Sequence, residues 1–270
     1  MGSPVKRTCI VYYRDSDREH AKKILDMCTQ LGIDASLGLS CNDGPDVVII
    51  VGGDGSVLQY LHDLVSSNID NLEKLLRVPI YHVGSGKVNF FCDVDINNIT
   101  YEHIEKLRRG DYYIDERTLL EAQSGSIFTL CLNEILIRFV NPGKICRFTV
   151  REVDGDELFS GRMDGVIVAT ATGSTAYILA LGGPVVDYRL QNVKIVIPLA
   201  PFSPALVPIV HPVDVDIIVE SEGTAILVAD GMYYGTCQQV RIRKSRYTFK
   251  FARLAPYMFY HKLSRRLFTT

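Results

Sequence analysis

The sequence has almost no excess of either charge, no long apolar run and no apolar leader. Its 29 basic and 31 acidic residues give a formal net charge of -2, so no overall basic field favours nucleic acid as the principal partner. No apolar run approaches the roughly 18 residues that a membrane-spanning helix needs. The N-terminus also lacks the apolar core of a signal peptide. We therefore expect a cytoplasmic protein with neither a nucleic acid nor a membrane as partner.

The cysteines form no recognisable framework. All seven are scattered along the chain, and none belongs to a C-x-x-C pair. We expect reduced core thiols here, in preference to a structural disulfide or a zinc site. The 270 residues, 47% hydrophobic and 22% charged, are typical of a folded chain with one large domain or two ordinary ones.

The most informative stretch is DVVIIVGGDGSVLQYLHDL, from Asp46 to Leu64. Its apolar part, Val47 to Val51, has the length and branching of a strand buried on both faces. The glycines that follow allow a sharp change of direction, and Ser56 opens a segment with apolar residues at helical spacing. Such a turn directs backbone N–H groups and the positive end of the helix dipole at one place, which favours a phosphate.

Asp54 is the unexpected residue of this turn. A carboxylate repels a bare phosphate, so its presence predicts that Asp54 binds a metal ion or accepts the proton of a hydroxyl group. An ordinary tight connection is the alternative interpretation of Gly-Gly-Asp-Gly by itself. The motif resembles the GGDG[TS] turn of NAD kinases, of diacylglycerol and sphingosine kinases and, more distantly, of phosphofructokinases. All of these enzymes transfer phosphoryl groups to hydroxyls.

Strands and helices alternate in the first part of the chain, as in an open α/β sheet. The predicted strands are Thr8 to Tyr13, Asp46 to Val51 and Val78 to Val83. From Tyr112 to about Phe251 the pattern changes to short β-branched or alternating runs between turn signals. We therefore predict a Rossmann-like parallel α/β domain over residues 1–105 and a predominantly β domain over residues 106–254.

A second glycine loop, Gly84-Ser85-Gly86-Lys87, follows the third predicted strand. Ligands on open α/β sheets bind beyond the carboxyl ends of the strands, where this loop lies. The loop resembles the NAD kinase segment N-x-G-x-L-G-F-L, but Gly84 stands where the family has Asn, and Asn89 stands where it has Gly. Lys87 is a candidate phosphate contact, with an exposed loop lysine as the alternative.

Asn133 and Glu134 interrupt an otherwise apolar strand, Cys131 to Ile137. Burial of an unpaired amide and carboxylate is costly, so each needs a partner from the fold or from a ligand. An Asn amide offers a donor and an acceptor to an adenine edge, and a carboxylate accepts from both hydroxyls of a ribose. NAD kinases carry the same Asn-Glu dipeptide after an apolar residue.

The run Ala171-Thr172-Gly173-Ser174-Thr175-Ala176-Tyr177 follows another predicted strand. Gly182-Gly183-Pro184 signals the end of a helix that begins near Thr175. Three hydroxyls at a helix start suit a phosphate or a sugar, whereas simple capping explains one of them. The run matches the NAD kinase signature T-P-T-G-S-T-A-Y…G-G-P, with Ala171 in place of Pro.

Two later segments complete the resemblance. Ile197 to Ser203 resembles the family's I-x-P-I-x-P-H-S, with Phe202 in place of His, and Asp230-Gly231-Met232 resembles its late Asp-Gly-Gln. Because the blocks agree in order and spacing, the chain is identified as a member of the NAD kinase family. The resemblance also implies that the tail, residues 255–270, packs on the first domain.

The resemblance implies phosphorylation of the 2′-hydroxyl of the adenosine ribose of NAD, giving NADP. The donor would be ATP or inorganic polyphosphate, Mg²⁺ or another divalent metal would be needed, and Asp54 would be the general base. The predicted donor contacts are Gly52, Gly53, Gly55, Ser56 and Lys87. The implied NAD contacts are Asp54, Asn133, Glu134, Asp164, Thr175, Ala176 and Tyr177, supported by Thr172 and Ser174. The metal ligands stay open, and the family implies a homodimer or homotetramer.

Two other functions remain open at this point. A lipid kinase of the diacylglycerol or sphingosine type shares GGDG[TS] but is not expected to carry Asn133-Glu134 or the run from Thr172 to Tyr177. A non-catalytic NAD or NADP sensor on the same fold is the second alternative. Asp54 argues against a sensor, because binding an anionic dinucleotide gains nothing from a carboxylate in the phosphate turn.

Overall fold

The computed structural model describes residues 2–38, 44–67, 71–86, 89–200 and 207–268. The chain divides into two compact units. Unit 1 contains Met1–Glu116 and Phe249–Thr270, and unit 2 contains Arg117–Thr248. Each unit has its own apolar core.

Unit 1 is built on parallel strands flanked by helices. Its strands are β1 Arg7–Tyr12, β2 Asp34–Leu37, β3 Val47–Gly52, β4 Ile80–Gly84 and β5 Val94–Asp95. Its helices are α1 Arg18–Gln30, α2 Asp54–Ser67, α3 Leu72–Leu76, α4 Tyr101–Arg109 and, from the C-terminal tail, α6 Phe259–Phe268. The order is β2-β1-β3-β4, and β5 pairs with β4. All six residues of β3 are buried, which explains its unbroken apolar sequence.

Unit 2 is almost entirely antiparallel β-structure. Its strands are β6 Tyr113–Ser124, β7 Ile127–Cys131, β8 Glu134–Phe139, β9 Cys146–Glu152, β10 Glu157–Met163, β11 Gly165–Thr170, β12 Val193–Leu199, β13 Ile209–Pro212, β14 Ile217–Ala229 and β15 Met232–Arg253, of which β6 begins, and β15 ends, in unit 1. The main order is β13-β12-β11-β8-β14-β15, with β9 also paired to β14. The predicted fold class, a parallel α/β part followed by a β-rich part, is confirmed.

Two expectations need correction. Cys9 is disulfide-bonded, so the prediction of reduced cysteines is wrong at this position. Five other cysteines are free thiols in the core, and Cys41 lies outside the described residues. The helix expected to begin near Thr175 instead begins at Tyr177 as the short α5, Tyr177–Ala180, after a 3-10 turn.

Within the part of the chain that the structure describes, no helix is both long enough and apolar enough to cross a membrane.

Candidate functional site

In unit 1, the glycine turn joins the end of β3 to the start of α2. Gly52 has a φ of 150°, and a Cβ on it would lie 2.2 Å from Ser56 Oγ, so only glycine fits there. A Cβ on Gly53 would come no closer than 3.9 Å to a described atom outside its chain neighbours, and one on Gly55 would meet none within 4 Å. The turn therefore has open space beside its second and third glycines.

The Asp54 carboxylate binds the loop that follows β4. Its Oδ2 accepts the backbone N–H of Phe90 at 2.7 Å, and its Oδ1 accepts that of Phe91 at 3.0 Å. Each carboxylate oxygen has a second lone pair, so both can still accept a proton or bind a metal. Asp54 thus orients the loop, and its carboxylate oxygens can still accept a proton or bind a metal ion.

His82, which the sequence motifs did not indicate, forms a hydrogen bond with the same turn. The ring is 2% exposed, and its Nε2 lies 2.9 Å from the carbonyl oxygen of Gly52. Because a carbonyl only accepts, Nε2 carries the hydrogen. Burial lowers the pKa of His82 to about 4, so the ring is neutral at pH 7. The Gly52 carbonyl is held without adding a charge beside the turn.

The C-terminal tail holds the loop after β4 from the other side. Lys262 of α6 donates to the carbonyl oxygens of Asn89, at 2.8 Å, and of Cys92. The Tyr257 hydroxyl donates to the carbonyl of Phe90. Asp54 accepts hydrogen bonds from N–H groups of this loop, and residues of the tail donate to its carbonyl groups. These hydrogen bonds together restrain the conformation of the loop. Lys87, a predicted donor contact, lies outside the described residues.

Gly84 and Asn89, the two departures from the family pattern in this loop, lie close together. A Cβ on Gly84 would lie 2.6 Å from Asn89 Nδ2 and 2.6 Å from Cys92 Sγ. The Asn89 side chain thus fills the space that a side chain at position 84 would occupy, and its Nδ2 donates to the Gly86 carbonyl at 2.7 Å. The amide of Asn89 therefore lies close to residue 84.

We expect Gly84→Asn alone to destabilise unit 1 by about 1–3 kcal/mol, because the new side chain overpacks the site. The double variant Gly84→Asn/Asn89→Gly removes the clash with residue 89 and should recover at least half of that loss. Thermal unfolding of both single variants and the double variant gives the coupling between the positions. Strictly additive effects would contradict the exchange.

In unit 2, the Asn133-Glu134 dipeptide is held by a buried carboxylate. Asp230 accepts the backbone N–H groups of Leu132 at 2.7 Å, Asn133 at 2.8 Å and Glu134 at 3.0 Å. Asp230 has a φ of 49°, a left-handed conformation that Asp tolerates better than most residues. Burial raises the pKa of Asp230 to about 6. The late Asp-Gly segment therefore positions the dipeptide.

One oxygen of Glu134 is left unpaired. Among the residues that the structure describes, none forms a hydrogen bond with its buried Oε2 atom. Burial, and then the nearby Asp230 carboxylate, raise the pKa of Glu134 to about 8, opposed by a hydrogen bond from the Tyr177 backbone. The partner that the sequence demands for this carboxylate is thus not supplied by the described part of the fold.

The threonine- and serine-rich run packs closely on the dipeptide. A Cβ on Gly173 would lie 2.1 Å from the Asn133 carbonyl oxygen, so this contact requires glycine. Ser174 is fully buried and its hydroxyl bonds both the carbonyl and the N–H of Val186 at 3.1 Å. Thr175 donates weakly, at 3.4 Å, to the Thr172 carbonyl. Ser174 therefore has a supporting role inside the fold.

The other predicted NAD contacts divide into two positions. Ala176 and Tyr177 follow the 3-10 turn, and Tyr177 is 45% exposed. Asp164 precedes β11, whose far end pairs with Glu134 through Ala169. Ala169 follows Asp164 by five residue steps, which span about 17 Å along an extended strand. The structure brings Asn133, Glu134 and the run after β11 together, but not Asp164. Phe202 and Ser203 lie outside the described residues.

The sequence matches known proteins over most of its length. A model of the ATP-NAD kinase C-terminal domain matches residues 132–254. The NAD kinase of Methanosarcina mazei is 33% identical over 234 residues, 84% of this chain and 76% of that protein. The chain belongs to the NAD kinase family. The NAD kinase of Pyrococcus abyssi is 35% identical over 217 residues, 77% of this chain and 73% of that protein.

Solved structures of NAD kinases have the same fold. An NAD kinase from Archaeoglobus fulgidus, crystallised with ATP, superposes with a TM-score of 0.79 and 29% identity over 97% of both chains. Yeast NADH kinase, crystallised with NADH, gives a TM-score of 0.77 over 99% of this chain and 88% of that one, at 19% identity. The second similarity concerns the fold alone. The family predicted from the sequence motifs is confirmed, and the chain is an enzyme of that family.

Proposed function

We propose that this member of the NAD kinase family transfers a phosphoryl group from ATP to the 2′-hydroxyl of the adenosine ribose of NAD. The observation that carries the proposal is the buried, unpartnered Oε2 of Glu134 next to Asn133. A carboxylate in this position accepts hydrogen bonds from ribose hydroxyls, and the neighbouring amide pairs with an adenine edge. Relatives named NAD kinases, one of them crystallised with ATP, support the same reaction.

Unit 2 supplies the proposed NAD contacts. The hydrogen bonds to Asp230 and the close contact of Gly173 with the Asn133 carbonyl fix the backbone of the dipeptide. Its side chains are therefore oriented before NAD binds. We assign Glu134 to the ribose hydroxyls, Asn133 to the adenine, and Thr175, Ala176 and Tyr177 to adjoining parts of the dinucleotide. Thr172 and Ser174 support them, and Asp164 is assigned to a part of NAD away from the adenosine.

Unit 1 supplies the proposed donor contacts and the base. Phosphates are held by the N–H groups of the glycine turn at Gly52, Gly53 and Gly55 and by the hydroxyl of Ser56, whose own N–H donates to the Gly53 carbonyl. Asp54, oriented by two backbone N–H groups, accepts the proton of the 2′-hydroxyl and contacts NAD. A divalent cation, when bound, neutralises charge on the transferred phosphoryl group. Lys87 is retained as a further donor contact.

The proposal has three further parts, which concern an alternative donor, the assembly and the compartment. Polyphosphate, which the family implies as an alternative donor, is a second candidate, because the proposed donor contacts are to phosphates and include none to a base. A homodimer or homotetramer is the proposed assembly, and the cytoplasm is the proposed compartment. Gel filtration with light scattering tests the assembly directly.

We expect the purified protein to form NADP from NAD, ATP and Mg²⁺. An NADP-specific dehydrogenase couples product formation to absorbance, and parallel reactions replace ATP by polyphosphate or NAD by NADH. Diacylglycerol and sphingosine are offered as competing acceptors. Phosphorylation of a lipid without NADP formation would establish a lipid kinase. NAD binding with no phosphorylated product under any donor would establish a sensor.

A further inference from the structure

Asp17 is a buried acid that the proposed reaction does not use. It ends the 3-10 turn Asp15–Asp17 after β1 and is 3% exposed. Its Oδ2 atom is buried and has no hydrogen-bond partner in the described part of the chain. Although Asp17 precedes α1, its side chain makes no capping hydrogen bond to that helix. Because an unpaired buried carboxylate is costly, a partner from outside the chain is expected.

The unpartnered oxygen faces the glycine turn. Tyr12 of β1 lies beside Val51 of β3 in parallel register, so the segments that follow them meet at one edge of the sheet. A Cβ built on Gly52 would lie 3.5 Å from Asp17 Oδ2. Asp17 therefore lies next to the backbone that we propose holds the donor phosphates.

Two carboxylates, those of Asp17 and Asp54, thus flank a turn whose backbone favours anions. Phosphate oxygens entering this turn are repelled by both unless a cation comes with them. Mg²⁺ at nucleotide sites takes one or two carboxylate ligands and completes its coordination with phosphates and water. In the described ranges, no three His, Cys, Asp or Glu side chains converge to hold a metal alone. The residues present fit a cation that needs phosphate to bind.

We infer that Asp17 is a ligand of the divalent cation that accompanies the phosphoryl donor. The inference rests on the proposed function, because it takes the glycine turn as the donor site. It adds a residue outside every motif of the sequence, and it makes metal and phosphate binding mutually dependent. A purely structural Asp17, acting on the dipole of α1, is the competing explanation.

The test uses Mn²⁺ as the probe and measures binding as the loss of the free Mn²⁺ electron paramagnetic resonance signal beyond the loss that the same phosphate causes without protein. Wild type, Asp17→Asn and Asp15→Asn are titrated with saturating ADP, and separately with tripolyphosphate. Asp15 lies in the same 3-10 turn but is exposed, so it is the matched control. We expect Asp17→Asn to weaken Mn²⁺ binding at least about tenfold, and Asp15→Asn to leave it within twofold of wild type. Equal affinity of wild type and Asp17→Asn with both phosphates would overturn the inference.

Thermal unfolding without metal separates a ligand from a structural residue. Loss of an unpaired buried charge should leave the Tm of Asp17→Asn equal to or above that of wild type. A lower Tm with unchanged Mn²⁺ affinity would establish the structural role. If Asp17→Asn does not fold, wild-type crystals with Mn²⁺ and ADP decide, since an anomalous peak within about 2.5 Å of Asp17 Oδ2 supports the inference. A peak held by other side chains overturns it.

NADP formation, measured on the same wild-type preparation, tests the proposed function separately. Mn²⁺ bound through Asp17 without any NADP product would retain the metal site and overturn the reaction. NADP formation with Mn²⁺ affinity insensitive to Asp17→Asn would retain the reaction and overturn the metal site.

Discussion

Asp54→Asn should lower kcat about 10²- to 10⁴-fold, because it removes the group proposed to accept the proton of the ribose hydroxyl. The Kd for NAD should change little. The amide also presents an NH₂ to one of the two backbone N–H groups, of Phe90 and Phe91, that the carboxylate now accepts. The variant therefore disturbs the loop as well as the base, and kcat alone does not separate the two effects.

A second variant, which loosens the loop and keeps the Asp54 carboxylate, separates the two effects. Lys262→Met is the matched variant for the loop, because Lys262 donates to the carbonyls of the same segment and is not proposed to accept the proton. Asp63→Asn controls for the substitution itself, since Asp63 lies on α2 and accepts from Tyr13 and Gln59. Recovery of Asp54→Asn at high Mg²⁺ would instead assign Asp54 to the metal. Near-normal kcat at ordinary Mg²⁺ would exclude the base.

The sequence predicts the glycine turn well because local chemistry determines it. A buried apolar strand, glycines and an amphipathic segment each favour the same strand, turn and helix, and Gly52 has the backbone that only glycine adopts easily. The Asn133-Glu134 dipeptide is equally visible, since a carboxylate in an apolar strand demands a partner. The orphan Oε2 of Glu134 is the structural counterpart of that demand.

Residues that act across the chain are not visible in this way. In the sequence, His82 is one polar residue in a predicted strand. Only the register of β3 with β4 shows that it lies close to Gly52. Asp17 follows β1 in a charged segment typical of a solvated turn, yet it is buried. Lys262 lies 173 residues from Asn89. Long-range contacts of this kind depend on the topology, for which single-sequence patterns carry little information.

Glu134 and Asp230 together predict how NAD binding depends on pH. Both carboxyl groups have raised pKa values, of about 8 for Glu134 and about 6 for Asp230, and burial is the main cause of each. In the unfolded chain they titrate near 4, so between pH 4 and 8 the folded protein holds more protons. The stability of the folded protein without NAD should therefore fall as the pH rises through this range. Ribose hydroxyls need the ionised form of Glu134 as acceptor. The affinity for NAD should therefore increase as the pH rises through this range.

We expect the Kd for NAD to decrease up to about tenfold per unit as the pH rises from 6 to 8 and to level off above it, because Glu134 must lose its proton when NAD binds. Glu134→Gln should abolish this dependence and weaken binding at pH 9 by about 10- to 100-fold, as for a lost hydrogen bond to a charged group. Calorimetry of NAD binding in buffers of different ionisation enthalpy measures both the Kd and the proton released.

Thermal unfolding of the Glu134→Gln variant tests the role of Glu134 independently of NAD binding. Without NAD, Glu134→Gln should be more stable than wild type at pH 8 to 9, because it no longer places a charge beside Asp230 in a buried site. Glu121→Gln is the matched control, since Glu121 is also buried in unit 2 but is paired with Arg243 at 2.8 Å. It should leave the pH profile of NAD binding unchanged. A Glu134→Gln variant that loses stability at pH 8 and keeps the wild-type pH profile would show that Glu134 serves the fold, and the ribose would then need another acceptor.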